Sequence, residues 1–227
     1  TVINNIEEFE KLKENWNAIY DGDPNTTFFV SWQWMLGWIK AWTGFTTEEI
    51  SHDWEVIGIK SDANSQYIAF MPICTKSIRK SGFKFTQNLN VRTINIGGNP
   101  WSDHTGFICL PEYVEKAIPM FATYIQKHVK WDIFEIRNVF DPRIDLFLKC
   151  FSQKKFKIRE IKGYPCPYII LPDSWDKYLQ EFLGTATRRS LKYDTRKIQS
   201  LNEFRVTHVQ SGNLETQIET LLTLYQA

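Results

Sequence analysis

The chain has 227 residues, of which 43% are hydrophobic and 23% are charged, and its 27 Lys and Arg residues nearly balance its 26 Asp and Glu residues. This length suits one large domain or a domain with part of a second, and the formal net charge of +1 is far from the basic balance of a nucleic-acid binder. Nine Trp, nine Tyr and 16 Phe predict a core or a cleft built from aromatic rings. We expect no nucleic-acid partner.

Helical periodicity dominates the first 42 residues. Apolar residues from Ile6 to Ile19 recur every three or four positions, which predicts one amphipathic helix that is capped by Asn4 or Asn5 and ends before a turn at 21–24. Ser31 is the predicted N-cap of a second helix over 32–42. That helix is apolar nearly all round, with one face and a second aromatic row formed by these residues: Trp32, Met35, Leu36, Ile39 and Trp42, then Trp34 and Trp38. Burial in the core is favoured, although such aromatic rows also bind sugars.

Strand patterns follow the second helix. Residues 54–60 and 66–75 flank a turn-forming segment at 61–65, which predicts a β-hairpin, and Pro72 indicates a bulge or an edge. Further short strands are predicted at 83–89, 91–96 and 107–110.

From residue 111 onward, helices and strands alternate. The pattern predicts a helix over 111–129, a strand over 131–137, a helix over 141–152 and strands over 156–161 and 168–171. We expect an α/β fold in which the hairpin joins strands 131–137 and 156–161 in one mixed sheet with helices on both faces. After a boundary near Pro172, helices are predicted over 174–183, 186–201 and 213–226, with one strand over 204–209.

The four cysteines predict neither a metal site nor a disulfide scaffold. No CxxC pair occurs, and no His stands at ligand spacing from a Cys. We expect reduced, buried thiols at Cys74, Cys109, Cys150 and Cys166. We also expect a cytoplasmic location for the protein. The most apolar stretch, 28–42, contains polar residues and is shorter than the roughly 20 residues that span a bilayer, so we expect no membrane insertion.

The segment 97–106 is the loop most typical of a functional site. It holds Trp101, Ser102, Asp103 and His104 in succession, and loops of this kind carry function more often than the elements they connect. The alternative is a structural turn, in which Ser102 or Asp103 bonds to local amides and Trp101 packs as a lid. GxSxG, HExxH, GxGxxG and GxxxxGK[ST] are all absent, which argues against a serine hydrolase, a zinc site and nucleotide binding of those kinds.

A second candidate site is the basic helix over 186–201. Arg188, Lys192 and Arg196 are spaced four apart, and Arg189 and Lys197 lie beside them, so these cations share one broad helix face that can hold phosphates. The alternative is a solvated helix surface partly neutralised by an acidic neighbour.

The order of helices and strands resembles the GNAT superfamily of N-acetyltransferases. The local sequence motifs are more specific than the element order. They are Trp16, then PNTTFFVSWQWMLGW at 24–38, FMPI at 70–73, WSDH at 101–104 and TRRSLK at 187–192. This succession resembles the CelD-like acetyltransferase group, associated with the synthesis of cellulose and other exopolysaccharides, and more distantly the Fem-type aminoacyl transferases. The resemblance extends over essentially the whole chain.

The resemblance implies two tandem GNAT-like halves, with residues 1–172 as the first and 173–227 as the start of the second. In that group the second half carries a glycine-rich loop for acyl-CoA, and no such loop occurs here between 91–96 and the helix from 111. Acyl-CoA as co-substrate is therefore implied by the resemblance alone. Because the final residues read as the middle of a helix, we expect a missing C-terminal half and no activity from these 227 residues by themselves.

The implied reaction transfers an acyl or aminoacyl group to an amine or hydroxyl of a small acceptor, either a sugar or an amino-acid-like molecule. No catalytic side chain is assigned. By similarity, Trp101, Asp103 and His104 are candidates for acceptor contact, the last two also for proton transfer. The remaining candidates are expected, by the same similarity, to bind an anionic group on the acceptor: Arg188, Arg189 and Lys192. A non-catalytic carbohydrate-binding module and a purely structural half-domain stay open as alternatives.

Overall fold

The computed structural model describes residues 1–44, 46–47, 50–62, 65–80, 89–161, 167–201 and 208–226. The chain divides into two compact units, Thr1–Glu160 and Ile161–Ala227. This division falls ahead of the boundary predicted near Pro172.

A mixed sheet forms the centre of the first unit. Within the described residues its strands are β1 (Val2–Ile3), β2 (Ile50–Lys60), β3 (Tyr67–Lys80), β4 (Leu89–Ile96), β5 (Ile108–Cys109) and β6 (Ile133–Glu135). The strand order is β1-β2-β3-β4-β6, and β5 pairs with β3. The β4–β6 pair is parallel, whereas the other pairs are antiparallel. The predicted α/β class with a mixed sheet is confirmed.

The hairpin of β2 and β3 is also confirmed, and Pro72 lies inside it. Pro72 pairs with Val56 in continuous register, so it marks neither the bulge nor the edge that we predicted. On the other side of β3, pairing with β5 extends to Phe70 and pairing with β4 begins at Ile73. The Pro72 carbonyl accepts from the Gly97 N–H at 2.8 Å. Proline has no backbone N–H, and the N–H of another residue at this position would point to the same side of β3, between the parts that pair with β5 and with β4. A proline is tolerated there because that side has an interrupted ladder.

Five α-helices in the described part of the first unit flank this sheet: α1 (Ile6–Lys11), α2 (Lys13–Gly22), α3 (Trp32–Thr43), α4 (Val114–His128) and α5 (Ile144–Lys149). The single helix predicted over 6–19 is wrong, because the Leu12 N–H bonds to the Phe9 carbonyl at 3.0 Å and breaks the chain into α1 and α2. Both predicted caps are confirmed. The Asn5 side chain accepts from the Glu7 N–H, and the Ser31 hydroxyl accepts from the Trp34 N–H.

Helices cover both faces of the sheet, as expected. Side chains alternate along a strand, so Val56 and Phe70 pack in the core with α1, α2 and α3, whereas Ile57 and Met71 pack in the core with α4 and α5. The core interpretation of α3 is confirmed for the residues that it buries: Met35, Trp38, Ile39 and Trp42.

Two predicted strands are wrong. Described residues 157–161 and 167–172 have no regular secondary structure, and the apolar side chains at 168–171 are exposed. A strand needs a hydrogen-bonded neighbour, and the sheet of the first unit ends at β6 in the described residues. The strands predicted at 83–89 and 204–209 lie largely outside the described residues.

The second unit contains three helices in its described part, all close to their predicted positions: α6 (Trp175–Glu181), α7 (Thr185–Gln199) and α8 (Leu214–Gln226). The Ser174 hydroxyl caps α6 by accepting from the Lys177 N–H at 3.2 Å. Leu179 is buried, whereas most of the other apolar side chains on these helices are exposed. Across the described residues of both units, no helix is long and apolar enough to cross a bilayer.

Candidate functional site

The first candidate site lies where the parallel strands β4 and β6 end. Their pairing covers three positions and stops at Asn95 and Glu135. The loop 97–106 follows β4, and the segment 136–141 follows β6. Ligands of α/β proteins commonly bind outside the carboxyl ends of parallel strands, so the loop that we selected from the sequence begins at such an edge.

A glycine pair turns the chain sharply at the start of this loop. Gly98 has φ +98°, and a Cβ at this position would collide with the Ser102 hydroxyl, so the turn requires glycine. A Cβ on Gly97 would approach the Pro72 Cβ to 2.6 Å. The Gly98 carbonyl then accepts from the N–H groups of Trp101 and Ser102, at 3.1 and 3.0 Å. The Asn99–Pro100 peptide within the turn is cis.

Two indole side chains of α3 donate hydrogen bonds to this loop. Trp34 Nε1 donates to the Ser102 hydroxyl at 2.8 Å, and Trp38 Nε1 donates to the Asn99 carbonyl at 3.0 Å. Asn99 and Ser102 are both buried. The second aromatic row of α3 therefore has a function that the sequence did not reveal, because it fixes the backbone of the candidate loop.

Groups that follow β6 hold the same loop from the side. Thr105 donates twice, from its N–H to the Asn138 carbonyl at 2.8 Å and from its hydroxyl to the Arg137 carbonyl at 2.7 Å. The Asn138 side-chain amide donates to the Ser102 carbonyl at 3.1 Å. Asn138 has φ +54°, which Asn tolerates better than most residues. The segments that follow β4 and β6 are thus joined by hydrogen bonds within the protein.

Trp101 and Asp103 lie on the outside of the loop. Trp101 is 43% exposed, and its ring packs edge-on against Trp42 with 6.1 Å between ring centroids. Asp103 is exposed. Trp101 therefore has the packing of the lid that we considered, while part of its ring stays open to a ligand.

The His104 imidazole lies between two aromatic rings. Its centroid is 6.0 Å from that of Phe29 and 5.7 Å from that of Phe140, both edge-on, and Phe140 is 85% exposed. A small cavity of about 20 Å³ opens beside His104 and is also lined by Thr27, Phe140 and Asp141. This volume is close to that of one water molecule, so larger ligands would bind on the rings outside it.

A buried ion cluster supports this region, and the sequence analysis missed it. Arg143 Nη2 lies 3.0 Å from Asp23 Oδ2 and 2.7 Å from Asp141 Oδ2, and its Nε donates to Asp141 Oδ1 at 2.9 Å. The Cys109 N–H donates to Asp23 Oδ2 at 2.9 Å. Burial acts to lower the pKa of Arg143, but its contacts with Asp141 and then Asp23 outweigh that effect, so the net pKa is raised. Arg143 and Asp23 are 120 residues apart, and no spacing signal in the sequence links them.

The remaining predicted residues lie in the second unit. Arg188, Arg189 and Lys192 line one cleft of about 570 Å³ between α6 and α7. Its wall also contains Asp176, Leu179, Gln180 and Thr185. We call this space the α6–α7 cleft. The structure thus brings the three predicted cations to one cleft, whereas the side chains of Trp101 and His104 contact different rings.

Thiols and metal ligands offer little alternative chemistry in the described residues. Cys74, Cys109 and Cys150 are free thiols, and Cys166 lies outside the described residues. Burial raises the pKa of Cys74 and of Cys109 to about 12, so both are protonated at neutral pH and poor nucleophiles. Within the described part of the chain, no three His, Cys, Asp or Glu side chains are grouped as metal ligands.

One further carboxyl has a perturbed pKa. Glu55 on β2 is half-buried, its Oε1 has no hydrogen-bond partner among the described residues, and burial raises its pKa. Burial and then the charge of Glu55 also raise the pKa of Tyr124 on α4. This pair lies on the α4 side of the sheet, and the raised pKa of Glu55 makes the stability of the chain depend on pH.

Comparison of the chain with models of known protein families gives no match, and comparison with curated proteins gives none either.

Proposed function

We propose that this chain is the N-terminal part of a tandem GNAT acyltransferase that transfers an acyl group from acyl-CoA, or an aminoacyl group, to an amine or hydroxyl of a sugar or amino-acid-like acceptor. The observation that carries the proposal is the mixed sheet with helices on both faces, in which the pairing of the parallel strands β4 and β6 stops after three positions. In GNAT enzymes a backbone amide of a splayed strand polarises the thioester carbonyl, and this proposal assigns that role to the second half.

In this proposal the first unit binds the acceptor, and a second GNAT-like half binds acyl-CoA. The N–H groups of Gly97, Trp101, Ser102 and Thr105 are all bonded to carbonyls of the protein. Thr105 and Asn138 also join the loop to the segment that follows β6 through hydrogen bonds. A thioester at this edge would have to displace these hydrogen bonds, so the edge is a poor binding site for the acyl donor.

The exposed side chains of the loop suit an acceptor with ring C–H groups and hydroxyls. The partly open ring of Trp101 and the exposed ring of Phe140 offer apolar faces for stacking. Asp103 and His104 offer a carboxylate and an imidazole that can accept hydrogen bonds or a proton from the attacking amine or hydroxyl.

The test compares the 227-residue chain with the polypeptide of the complete natural reading frame. Calorimetry with glucosamine, glucose and lysine is expected to detect acceptor binding to both. Acetyl-CoA binding and release of free CoA are expected only from the longer polypeptide. Trp101→Ala should weaken acceptor binding, whereas the control Trp175→Ala, which removes an exposed indole outside the loop, should not.

Two results would contradict the proposal. Acetyl transfer by the 227-residue chain would show that the acceptor-only role is wrong. Sugar binding without any acyl transfer by the longer polypeptide would instead favour the non-catalytic carbohydrate-binding function, which the exposed aromatic rings also support.

A further inference from the structure

The α6–α7 cleft has the size of a small-molecule site. Its volume of about 570 Å³ lies inside the range of roughly 300–1,000 Å³ typical of ligand pockets. A bare phosphate ion would occupy only part of it. The cleft therefore suits a ligand with an organic portion.

Positive charge exceeds negative charge among the described residues that line this cleft. Arg188, Arg189 and Lys192 line it together with one carboxylate, that of Asp176. Among the described residues no carboxylate oxygen lies within 4.0 Å of the three cations, whereas Lys177 on α6 does have such a partner. Like charges four residues apart on a helix repel each other, so a bound anion would relieve repulsion between Arg188 and Lys192.

The cleft also offers directional donors and an apolar wall. Arg188 is half-buried, and its Nη2 donates to the Thr185 hydroxyl at 3.3 Å. This bond orients a planar guanidinium whose other N–H groups can bind two oxygens of one anion. The Gln180 amide adds a neutral donor, and the buried Leu179 supplies an apolar surface.

We propose that the α6–α7 cleft binds a soluble organic phosphate. The phosphoryl group is held by Arg188, Arg189 and Lys192, and the organic portion lies toward Gln180 and Leu179. Three cations against one carboxylate leave a net charge of +2 in the cleft, which matches a phosphoryl dianion better than a single carboxylate. The inference rests on this cleft and not on the acyltransferase proposal, and its test involves no acyl transfer, so either can fail alone.

The experiment is calorimetric titration of the 227-residue chain with glucose 6-phosphate, inorganic phosphate and glucose, at low and at high salt. Glucose 6-phosphate should bind at least about tenfold more tightly than glucose or inorganic phosphate, and more weakly as salt rises. The double variant Arg188→Ala/Arg189→Ala should lose about 10- to 100-fold in affinity, because charge-assisted hydrogen bonds are removed. Arg188→Lys should also lose affinity, because the planar two-point contact is lost while the charge is kept.

The matched control is Arg196→Ala/Lys197→Ala. It removes the same charge from the same helix at residues that do not line the cleft, and it should change the affinity by less than about threefold. Circular dichroism should show unchanged helix content in both double variants. If the Arg188/Arg189 variant loses helix, the Arg188→Lys comparison decides instead.

Three outcomes would overturn the proposal. Equal losses in the two double variants would show diffuse attraction by the whole helix. Equal affinity for glucose and glucose 6-phosphate would exclude a phosphoryl site. Tighter binding to vesicles containing phosphatidylglycerol, or to a single-stranded oligonucleotide, than to glucose 6-phosphate would identify a membrane or a nucleic acid as the partner.

Discussion

Replacing Trp38 tests the link between the core and the candidate loop. Its side chain is buried, stacks on Trp42 with 5.7 Å between ring centroids, and donates from Nε1 to the Asn99 carbonyl. Truncating a buried aromatic residue to Ala costs about 3–5 kcal/mol. A buried carbonyl left without its donor costs about 1–3 kcal/mol, so we expect Trp38→Ala to destabilise the chain by an amount at the upper end of the first range.

A second variant separates packing from hydrogen bonding. Trp38→Phe keeps an aromatic ring in the core but removes the donor to Asn99, so we expect a loss of about 1–3 kcal/mol. Trp34→Phe is the matched control, because Trp34 is only half-buried and donates to the Ser102 hydroxyl, which can turn to another partner. Denaturant unfolding measures the three free energies from the midpoints and slopes. An unchanged midpoint for Trp38→Ala would refute the core assignment and favour sugar stacking on this row.

Three further predictions concern buried groups. Arg143→Met should lower the free energy of unfolding by about 3–5 kcal/mol, because it leaves two buried carboxylates without their cation. Arg137→Met breaks an exposed pair and should lower it by less than about 1 kcal/mol. Similar unfolding midpoints for the two variants would contradict this. Because burial raises the pKa of Glu55, its native state binds more protons than the unfolded chain, so stability falls as pH rises through the raised pKa. Glu55→Gln should therefore stabilise the chain near neutral pH, with the gain disappearing below the ordinary pKa of 4.5; denaturant midpoints measured across this range would expose a pH-independent difference, which would argue against the titration. The thiols of Cys74 and Cys109 should react with a thiol reagent only after unfolding, and mass spectrometry showing rapid labelling of either in the folded chain would disprove their burial.

Local signals account for the parts of the fold that the sequence predicted. The caps at Asn5 and Ser31 act within three residues of themselves, so they are readable before any tertiary structure is known. The same holds for the hairpin of β2 and β3, whose strands are neighbours in the chain. Strands at 156–161 and 168–171 were wrong because periodicity indicates a suitable strand but not whether an edge is available to pair with it.

The candidate site depended on contacts that no local signal carries. The loop 97–106 could be selected for its chemistry, but each of the donors that fix it, Trp34 and Trp38, precedes its bonded partner in the loop by more than sixty residues. The cluster of Asp23, Asp141 and Arg143 brings α2, β5 and the start of α5 together over a still longer separation. Such pairings follow from the topology of the sheet, and composition gives no hint of them.

The arrangement of buried and exposed residues along the loop favours a binding surface over a simple turn. Ser102 and Thr105 are buried and use their hydroxyls and backbone groups to fix the chain, whereas Asp103 and His104 between them direct no side-chain hydrogen bond into that scaffold among the described residues. A turn that served only to connect β4 with β5 would need the first pair and not the second. A backbone fixed in this way presents the exposed Asp103 carboxylate and the His104 imidazole to a ligand at little cost in backbone entropy, which is a property of a preorganised binding surface.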